Sequence, residues 1–288
     1  MSDFETWLFV MEQPIRLGFF FGVFAVMAAL EMISPRRKLS VSKPLRWFSN
    51  LGIVVLNTLI ARAILPMAPV MFASLMAEMG WGVFNFFAIP PAIAIIATII
   101  LMDFVIWLQH VMVHAVPLFW RLHRLHHADL DYDVTTGARF HPIEILLSLG
   151  IKFAVIALLG APASAVLVFE IVLNAMAMFN HANFKLPLRV DAVVRTLFVT
   201  PDMHRIHHSI VPQETNSNFG FNLSIWDRLF GTYIAQPTGG HEGMTIGIDM
   251  FRTQKDERLD QMLIQPFRGA AGEYTINRRD WPKNNGEG

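Results

Sequence analysis

Eight of the chain's 11 histidines fall into three short runs. His110 and His114 lie in HVMVH, His123, His126 and His127 in HRLHH, and His204, His207 and His208 in HRIHH. An i, i+4 pair and two i, i+3, i+4 triplets each gather imidazoles on one face of a helix. Neutral imidazole is the commonest metal ligand among side chains. A structural zinc site closes with about four ligands. The surplus here points to two metal ions sharing one pool of histidines, and all-nitrogen donors suit zinc, iron or copper.

Other residues are candidates by position. Asp103 precedes His110 by seven residues on the same helical face, where a carboxylate can accept the second ring N–H of a ligating histidine. Asp129, Asp131 and Asp133 follow the second run, and Asp202 precedes the third, in reach of the same task. His141 in ARFHPIE and His181 in FNHANF stand alone, level with the runs; each is either a further ligand or a hydrogen-bonded core residue. His241 in PTGGHEGM reads as a loop residue outside the site. A basic amphipathic helix on lipid headgroups would carry lysine, and neither triplet contains one.

The elements that hold these residues are apolar. Of 288 residues, 53% are hydrophobic and 16% charged, and mean hydropathy is +0.42. Soluble domains approach about a quarter charged, so membrane helices are expected. Zero net charge gives no reason to expect nucleic acid. With no cysteine, disulfides, thiolate zinc sites, cysteine-ligated iron–sulfur clusters and cysteine nucleophiles are excluded within the chain. The acidic start, MSDFETWLFVMEQP, does not read as a signal peptide.

Apolar stretches at 16–33, about 50–72 and 86–108 each approach the ~20 residues of a spanning helix; 73–85 reads as a linker. A fourth stretch, 143–179, is broken by Gly160, Ala161 and Pro162 into a hairpin. Lys152 and Glu170 inside it are costly in hydrocarbon, so the hairpin is partly re-entrant or turns them to the interior. The basic loop with Arg36, Arg37, Lys38, Lys43 and Arg46 belongs in the cytoplasm. That places the N-terminus outside and the histidine runs on the cytoplasmic face. From Lys185 the chain reads as a cap, and from about Arg268 as a mobile tail. The expected fold is all-α: an integral membrane helical bundle with a cytoplasmic histidine-rich di-metal cap. Membrane helices occupy 1–100, a catalytic unit 101–235 with its hairpin at about 143–180, and a cytoplasmic tail 236–288.

In a membrane protein with an apolar substrate, the chemistry that calls for a non-haem di-iron centre is O₂ activation and attack on an unactivated C–H bond. A haem electron carrier would need axial histidines on separate membrane helices, and a metal transporter would need polar groups along the midplane. A zinc hydrolase would need a glutamate base of the HExxH type, and no run contains one.

With its order of motifs (HVMVH, LFWRLHRLHH, TTGARFHPIE, FNHANF, TPDMHRIHH and NFGFNLSIWDRLFGTY), the chain resembles the fatty acid hydroxylase/sterol desaturase superfamily of membrane di-iron enzymes over roughly 101–233. The look is of its alkylglycerol monooxygenase-like and bacterial sterol-desaturase-like members. Stearoyl-CoA desaturases and alkane hydroxylases typically have four residues, not three, between the first two histidines. The resemblance implies that His110, His114, His123, His126, His127, His181, His204, His207 and His208 ligate two irons, with His141 a tenth ligand and zinc able to substitute. It implies O₂ as co-substrate and hydroxylation or desaturation of a lipid or sterol-like molecule. Asn218, Gly220, Trp226, Asp227 and Gly231 match the closing motif, with Asp227 behind the ligands or structural. No HPGG-like haem segment or Gly-rich dinucleotide fingerprint is present, so electrons are expected from a separate ferredoxin, cytochrome or reductase.

Overall fold

The computed structural model describes residues 3–65 and 67–276. Among them secondary structure is helical, apart from isolated bridges pairing Pro35 with Phe184, Phe198 with Leu223 and Ser209 with Ile246. The helices are α1 (Asp3–Ile33), α2 (Lys43–Ile64), α3 (Pro69–Glu78), α4 (Val83–Phe86), α5 (Pro91–Ala115), α6 (Pro117–His127), α7 (Pro142–Leu159), α8 (Ala163–Asn180), α9 (Leu188–Val194) and α10 (Pro201–His207), followed by short turns of helix.

Five stretches are long and apolar enough to cross a membrane: Val10–Ile33, Lys43–Phe86, Pro91–Ala115, Pro142–Leu159 and Ala163–Asn180. Their boundaries differ from the sequence expectation at several ends, and two of the differences bear on the site. The expected linker at 73–85 is helical through Glu78, because Pro69 starts a new helix at a position that needs no N–H. The third stretch runs past 108 to Ala115, so His110 and His114 sit within α5.

The core between these helices is apolar. Val70 and Ala73 of α3, Met102 and Ile106 of α5, Ile156 of α7 and Phe169 of α8 pack into one buried cluster. Phe21, Leu59, Ile96 and Leu158 face outward and are exposed, as befits helices with lipid around them. Gly160 ends α7 in the left-handed region at φ +66°. It also packs against Gly82, where a Cβ would lie 2.1 Å from the Gly160 nitrogen. Lys152 and Glu170 turn inward: Lys152 Nζ donates to Glu170 Oε1 at 2.8 Å, and Arg16 of α1 pairs with the same carboxylate.

The loop before α2 is clamped to the histidine-bearing layer. Arg46 is fully buried and donates to Asp129 Oδ1 at 2.6 Å and Asp133 Oδ2 at 2.7 Å. Asp131 accepts from the backbone nitrogens of Ser40 and Val41 at 2.7 and 2.8 Å. These three acids, expected behind the histidines, serve instead to tie the basic loop down, since a buried guanidinium needs carboxylates on its fork. Burial alone would raise the Asp129 carboxyl, but Arg46 and Arg139 overcome it and hold it at about 2.

The segment after Arg268 is a second correction. Trp120 Nε1 donates to Ala271 O at 2.8 Å, Arg124 donates to the carbonyls of Arg268 and Ala270, and Ile276 N donates to His114 O at 3.1 Å. Tyr274 is buried against Trp120. Residues through 276 are therefore packed over α6, and the rest of the expected tail lies outside the described residues.

Candidate metal centre

Four elements deliver nine histidines to one buried volume. α5 carries His110 and His114; α6 carries His123, His126 and His127; His181 caps the C-terminus of α8; α10 carries His204 and His207, with His208 as its C-cap. α10 starts where it does because Pro201 occupies its first turn and the Thr200 side chain accepts from Met203 N.

The nine sort into two groups. One gathers His110, His114, His123, His127 and His207; the other gathers His126, His181, His204 and His208. Within each group the ligand atoms lie within 4.8 Å of one another, and all nine residues are buried. Each triplet is divided in the same manner. His123 and His127, the i, i+4 members of the second run, join the first group, while His126 joins the other. His204 and His208 join the second group, while His207 crosses to the first. The two helices thus brace both groups at once.

Hydrogen bonds at Nδ1 aim the opposite nitrogens inward. His110, His181 and His207 each donate Nδ1–H to a backbone carbonyl at 2.7 Å, of Phe219, Ala177 and Ser217 respectively. His123 Nδ1 donates to Glu144 Oε1 at 2.6 Å, and His114 Nδ1 to Asn216 Oδ1 at 3.2 Å. A neutral imidazole has one N–H, so spending it at Nδ1 leaves a lone pair at Nε2. Yet His110 Nε2 and His123 Nε2 lie 3.2 Å apart, lone pair facing lone pair. His181 Nε2 lies 3.2 Å from both His126 Nε2 and His204 Nε2, and its single lone pair can accept an N–H from only one of them. A cation between such nitrogens removes the repulsion. At metal–nitrogen distances of ~2.0–2.1 Å, two imidazoles on one tetrahedral or octahedral ion stand about 2.8–3.4 Å apart. His127 and His208 have no hydrogen-bond partner at either nitrogen among the described residues, a costly state for buried polar atoms that bind nothing. The residues present fit metal ions.

Electrostatics agrees. Burial pushes His126, His127, His204, His207 and His208 well below the usual imidazole range, reinforced by neighbouring imidazoles. Burial brings His181 down to about 3. These rings are neutral near pH 7, the form a metal requires.

The fatty acid hydroxylase family profile matches residues 95–232, which contain all nine histidines. This stretch resembles the fatty acid hydroxylase family, and relatives along the same stretch support the superfamily. It is 32% identical over 148 residues to the ornithine lipid hydroxylase OlsE of Rhizobium tropici, covering 51% of this chain and 44% of that protein. It is 29% identical over 150 residues to the alkylglycerol monooxygenase of Xenopus tropicalis, covering 52% of this chain and 32% of that protein. It is 26% identical over 134 residues to human cholesterol 25-hydroxylase, covering 46% and 47%. The chain spans less than half the length of each of these curated relatives. No solved structure gives a significant match.

Within the fatty acid hydroxylase stretch, several residues take places that the sequence did not indicate. His141 stands apart from both groups. Its Nδ1 accepts from Ile143 N at 3.2 Å, capping α7, and its Nε2 lies 3.3 Å from Leu263 O. Asp103 accepts from Trp226 Nε1 at 2.8 Å and Leu223 N at 3.3 Å, rather than from a histidine. Asp202 pairs with Arg205 and Arg36. Asp227 acts at one remove: it accepts from Phe219 N and Gly220 N, both at 2.8 Å, and so fixes the carbonyl that receives His110. His241 lies in the one-turn helix Gly240–Gly243, buried, 3.7 Å from Asp202. Glu144 and Asn216, which touch His123 and His114, were not singled out; an acid in the first turn of a membrane helix, three residues after His141, was the available signal for Glu144.

A cavity of about 510 Å³ opens off the first group. His110, His123 and Glu144 line it beside apolar walls from Ile106, Val113 and Phe140, and Lys152, about two turns further along α7 than Glu144, lines it with Arg16 and Glu170. Its size falls within the ~300–1,000 Å³ of small-molecule sites.

Proposed function

We propose that the protein is a membrane oxygenase that holds two iron ions in the two histidine groups and hydroxylates a C–H bond of a lipid-like substrate. The observation that carries this reading is the approach of ring nitrogens to 3.2 Å in both groups, beside a largely apolar cavity inside a membrane bundle. The irons, when bound, supply the O₂ activation that imidazoles alone cannot, and zinc can occupy the same donors. Hydroxylation is favoured over desaturation because the relatives named above are hydroxylases and a monooxygenase.

The ligands are the nine grouped histidines. His141, engaged as a helix cap, is left out of the set. Carbonyl and carboxylate acceptors at Nδ1 hold five of the rings in the tautomer that presents Nε2. Ile106, Val113 and Phe140 keep water from the space beside His110 and His123 and hold an alkyl chain there. Overall, one oxygen atom enters the C–H bond, and the other leaves as water with two electrons and two protons from outside the substrate. Those electrons come from a separate ferredoxin, cytochrome or reductase. A cytoplasmic site is supported by the basic loop, which Arg46 ties to the histidine layer. Residues 1–100 supply membrane helices, 101–235 the catalytic unit with its hairpin, and 236–288 a cytoplasmic tail, of which the described part after Arg268 packs over α6.

The test is paired. Purified, unstripped protein should contain close to two metal ions per chain, and lipids from cells expressing it should gain one oxygen on a defined species. One ion or none, with an unchanged lipid profile, overturns the reading.

A further inference from the structure

Part of the cavity carries charge that the proposed chemistry does not use. Lys152 is the eleventh of the 18 residues of α7, and Glu170 the eighth of the 18 of α8. Both therefore sit near mid-height of the hairpin, where ionisable groups are expensive and mark function. Arg16 Nε donates to Glu12 Oε1 at 2.9 Å, and its Nη2 pairs with Glu170. Arg62 reaches Gln13 Oε1 at 3.3 Å across the space between α1 and α2, and both are exposed there. Glu12, Arg16, Arg62, Lys152 and Glu170 all line the cavity.

Within the enclosed part of this cluster two cations, Arg16 and Lys152, face two carboxylates, Glu12 and Glu170, while Arg62 adds a third cation at the exposed mouth. The spare hydrogen-bonding capacity is of one kind. Among the described residues Lys152 Nζ bonds Glu170 alone, leaving two of its three N–H groups, and Arg16 Nη1 has no partner. Unused N–H groups on two cations select an oxygen acceptor, and an anionic one most strongly.

We propose that Lys152 and Arg16 anchor an anionic oxygen group at one end of the substrate, so that the cavity measures the distance from that group to the carbon presented at His110 and His123. The proposal rests on the oxygenase reading only for what happens at that carbon. The span follows from helix geometry. Glu144, bonded to His123, lies eight residues before Lys152 on α7; at 1.5 Å per residue this is about 12 Å. An extended chain advances ~3.3–3.6 Å per three bonds, so about ten or eleven bonds separate the anion from the presented carbon. The substrate enters sideways between α1 and α2, past Arg62 and Gln13, charged end first.

The experiment uses the metal-loaded protein in nanodiscs of zwitterionic lipid, with a tetradecanoic acid carrying a diazirine near its methyl end. After irradiation, the label should fall on the walls beside the histidines, at Ile106, Val113 or Phe140. Lys152→Met should lower labelling there about tenfold or more, the loss expected of a charge-assisted hydrogen bond, and Lys152→Arg should restore it. Lys152→Met leaves Arg16 on Glu170 to join α1 to α8, so metal content and melting temperature should hold. A merely structural lysine would change the melting temperature and not the labelling. The methyl ester of the probe, tested on the wild-type protein, should label as weakly as the acid does on Lys152→Met. Label on Arg16 or Glu170 instead, or equal labelling by acid and ester, overturns the proposal. Neither result touches the oxygenase reading, because labelling requires no turnover and metal content is measured separately.

Discussion

His127 and His208 stack with ring centroids 4.6 Å apart and planes 17° from parallel, one from each histidine group. They are the last residues of HRLHH and HRIHH, and they form part of the wall shared by the two groups. Removing either should disturb both. His127→Ala and His208→Ala are each expected to abolish product formation and to lower metal content from two toward none, rather than to one. The double variant should be no worse than either single one, because residues that act as a unit are not additive. Metal analysis and product formation on the same preparations check this; two bound metals with wild-type activity in both variants would sink the assignment.

Glu144 and His141 flank Pro142 and Ile143 yet do different things. Glu144 receives His123 Nδ1–H at 2.6 Å, whereas His141 caps α7. Glu144→Gln keeps the shape and weakens the acceptor, so activity or metal affinity should fall about 10–100-fold, as for other partners of ligating histidines. His141→Ala should cost about 1 kcal/mol of stability, the usual loss of a helix cap, with both metals retained. A His141→Ala protein that unfolds no earlier but binds less metal would make His141 a ligand after all.

What the sequence made legible here is the set of donors, not their partition. On an isolated helix His123, His126 and His127 share a face, and nothing in HRLHH says that the middle one will turn to another ion. That division arises only when α10 lies against α6, so that His207 crosses toward His110 and His126 toward His181. Asp103, Asp129, Asp131 and Asp133 looked right for Nδ1 by proximity, but the buried Arg46 and the Trp226 indole claim three of them. The actual acceptors are mostly backbone carbonyls, of Ala177, Ser217 and Phe219, which no side-chain pattern marks. The apolar helices were plain from composition. The packing of 268–276 over α6 was not, because Arg124 and Trp120 hold that segment through its carbonyls.

Acid should release the metals and destabilise the fold over one pH window. Burial depresses His126, His127, His204, His207 and His208, and brings His181 to about 3, against 6.5 for a free imidazole. Below that free value the unfolded chain binds protons that the folded chain refuses, so stability falls as pH drops. Protons also compete with metal for the same nitrogens. The melting temperature and bound metal should both be constant above pH 6.5 and decline together below it, toward about 3. The Asp129–Arg46 clamp should not contribute until lower pH, since Asp129 titrates at about 2 in the folded protein and near 3.8 when free. Metal release that sets in only below pH 4 would mean that carboxylates, not imidazoles, hold the ions.

Gly137 presses on one group and not the other. A Cβ at this position would lie 2.5 Å from Ala177 O and 3.1 Å from His181 Nδ1, the two atoms joined by the hydrogen bond that orients His181. Backbone cannot yield as a flexible side chain does, so Gly137→Ala must shift His181 or break that bond. The expected result is selective weakening of the group built from His126, His181, His204 and His208, with one ion retained in the other. Metal content near one per chain, with the helical spectrum unchanged, is the outcome to look for. Loss of both ions would mean that the two groups cannot be occupied separately, and two ions with full activity would mean that His181 tolerates displacement.

The basic loop supplies the test of sidedness. The chain has no cysteine, so a single introduced one reports without background. Lys38 is exposed, between Arg37, which donates its backbone N–H to Asn183 Oδ1 at 3.1 Å, and Ser40, which is bonded to Asp131. Lys38→Cys therefore leaves the clamp between the loop and the histidine layer in place. The asymmetry of Lys and Arg among the short loops predicts a cytoplasmic position here. In intact cells an impermeant maleimide should fail to label Lys38→Cys, and should label it once the membrane is opened. A cysteine at Met79, exposed beyond the C-terminal end of α3, should show the reverse. Because Ser40, Val41 and Arg46 are bonded to Asp129, Asp131 and Asp133, just after HRLHH, the loop and the histidines share one side of the bundle. Labelling of Lys38→Cys from outside would therefore move the whole candidate metal centre, and the electron donor proposed for it, to the opposite face of the membrane.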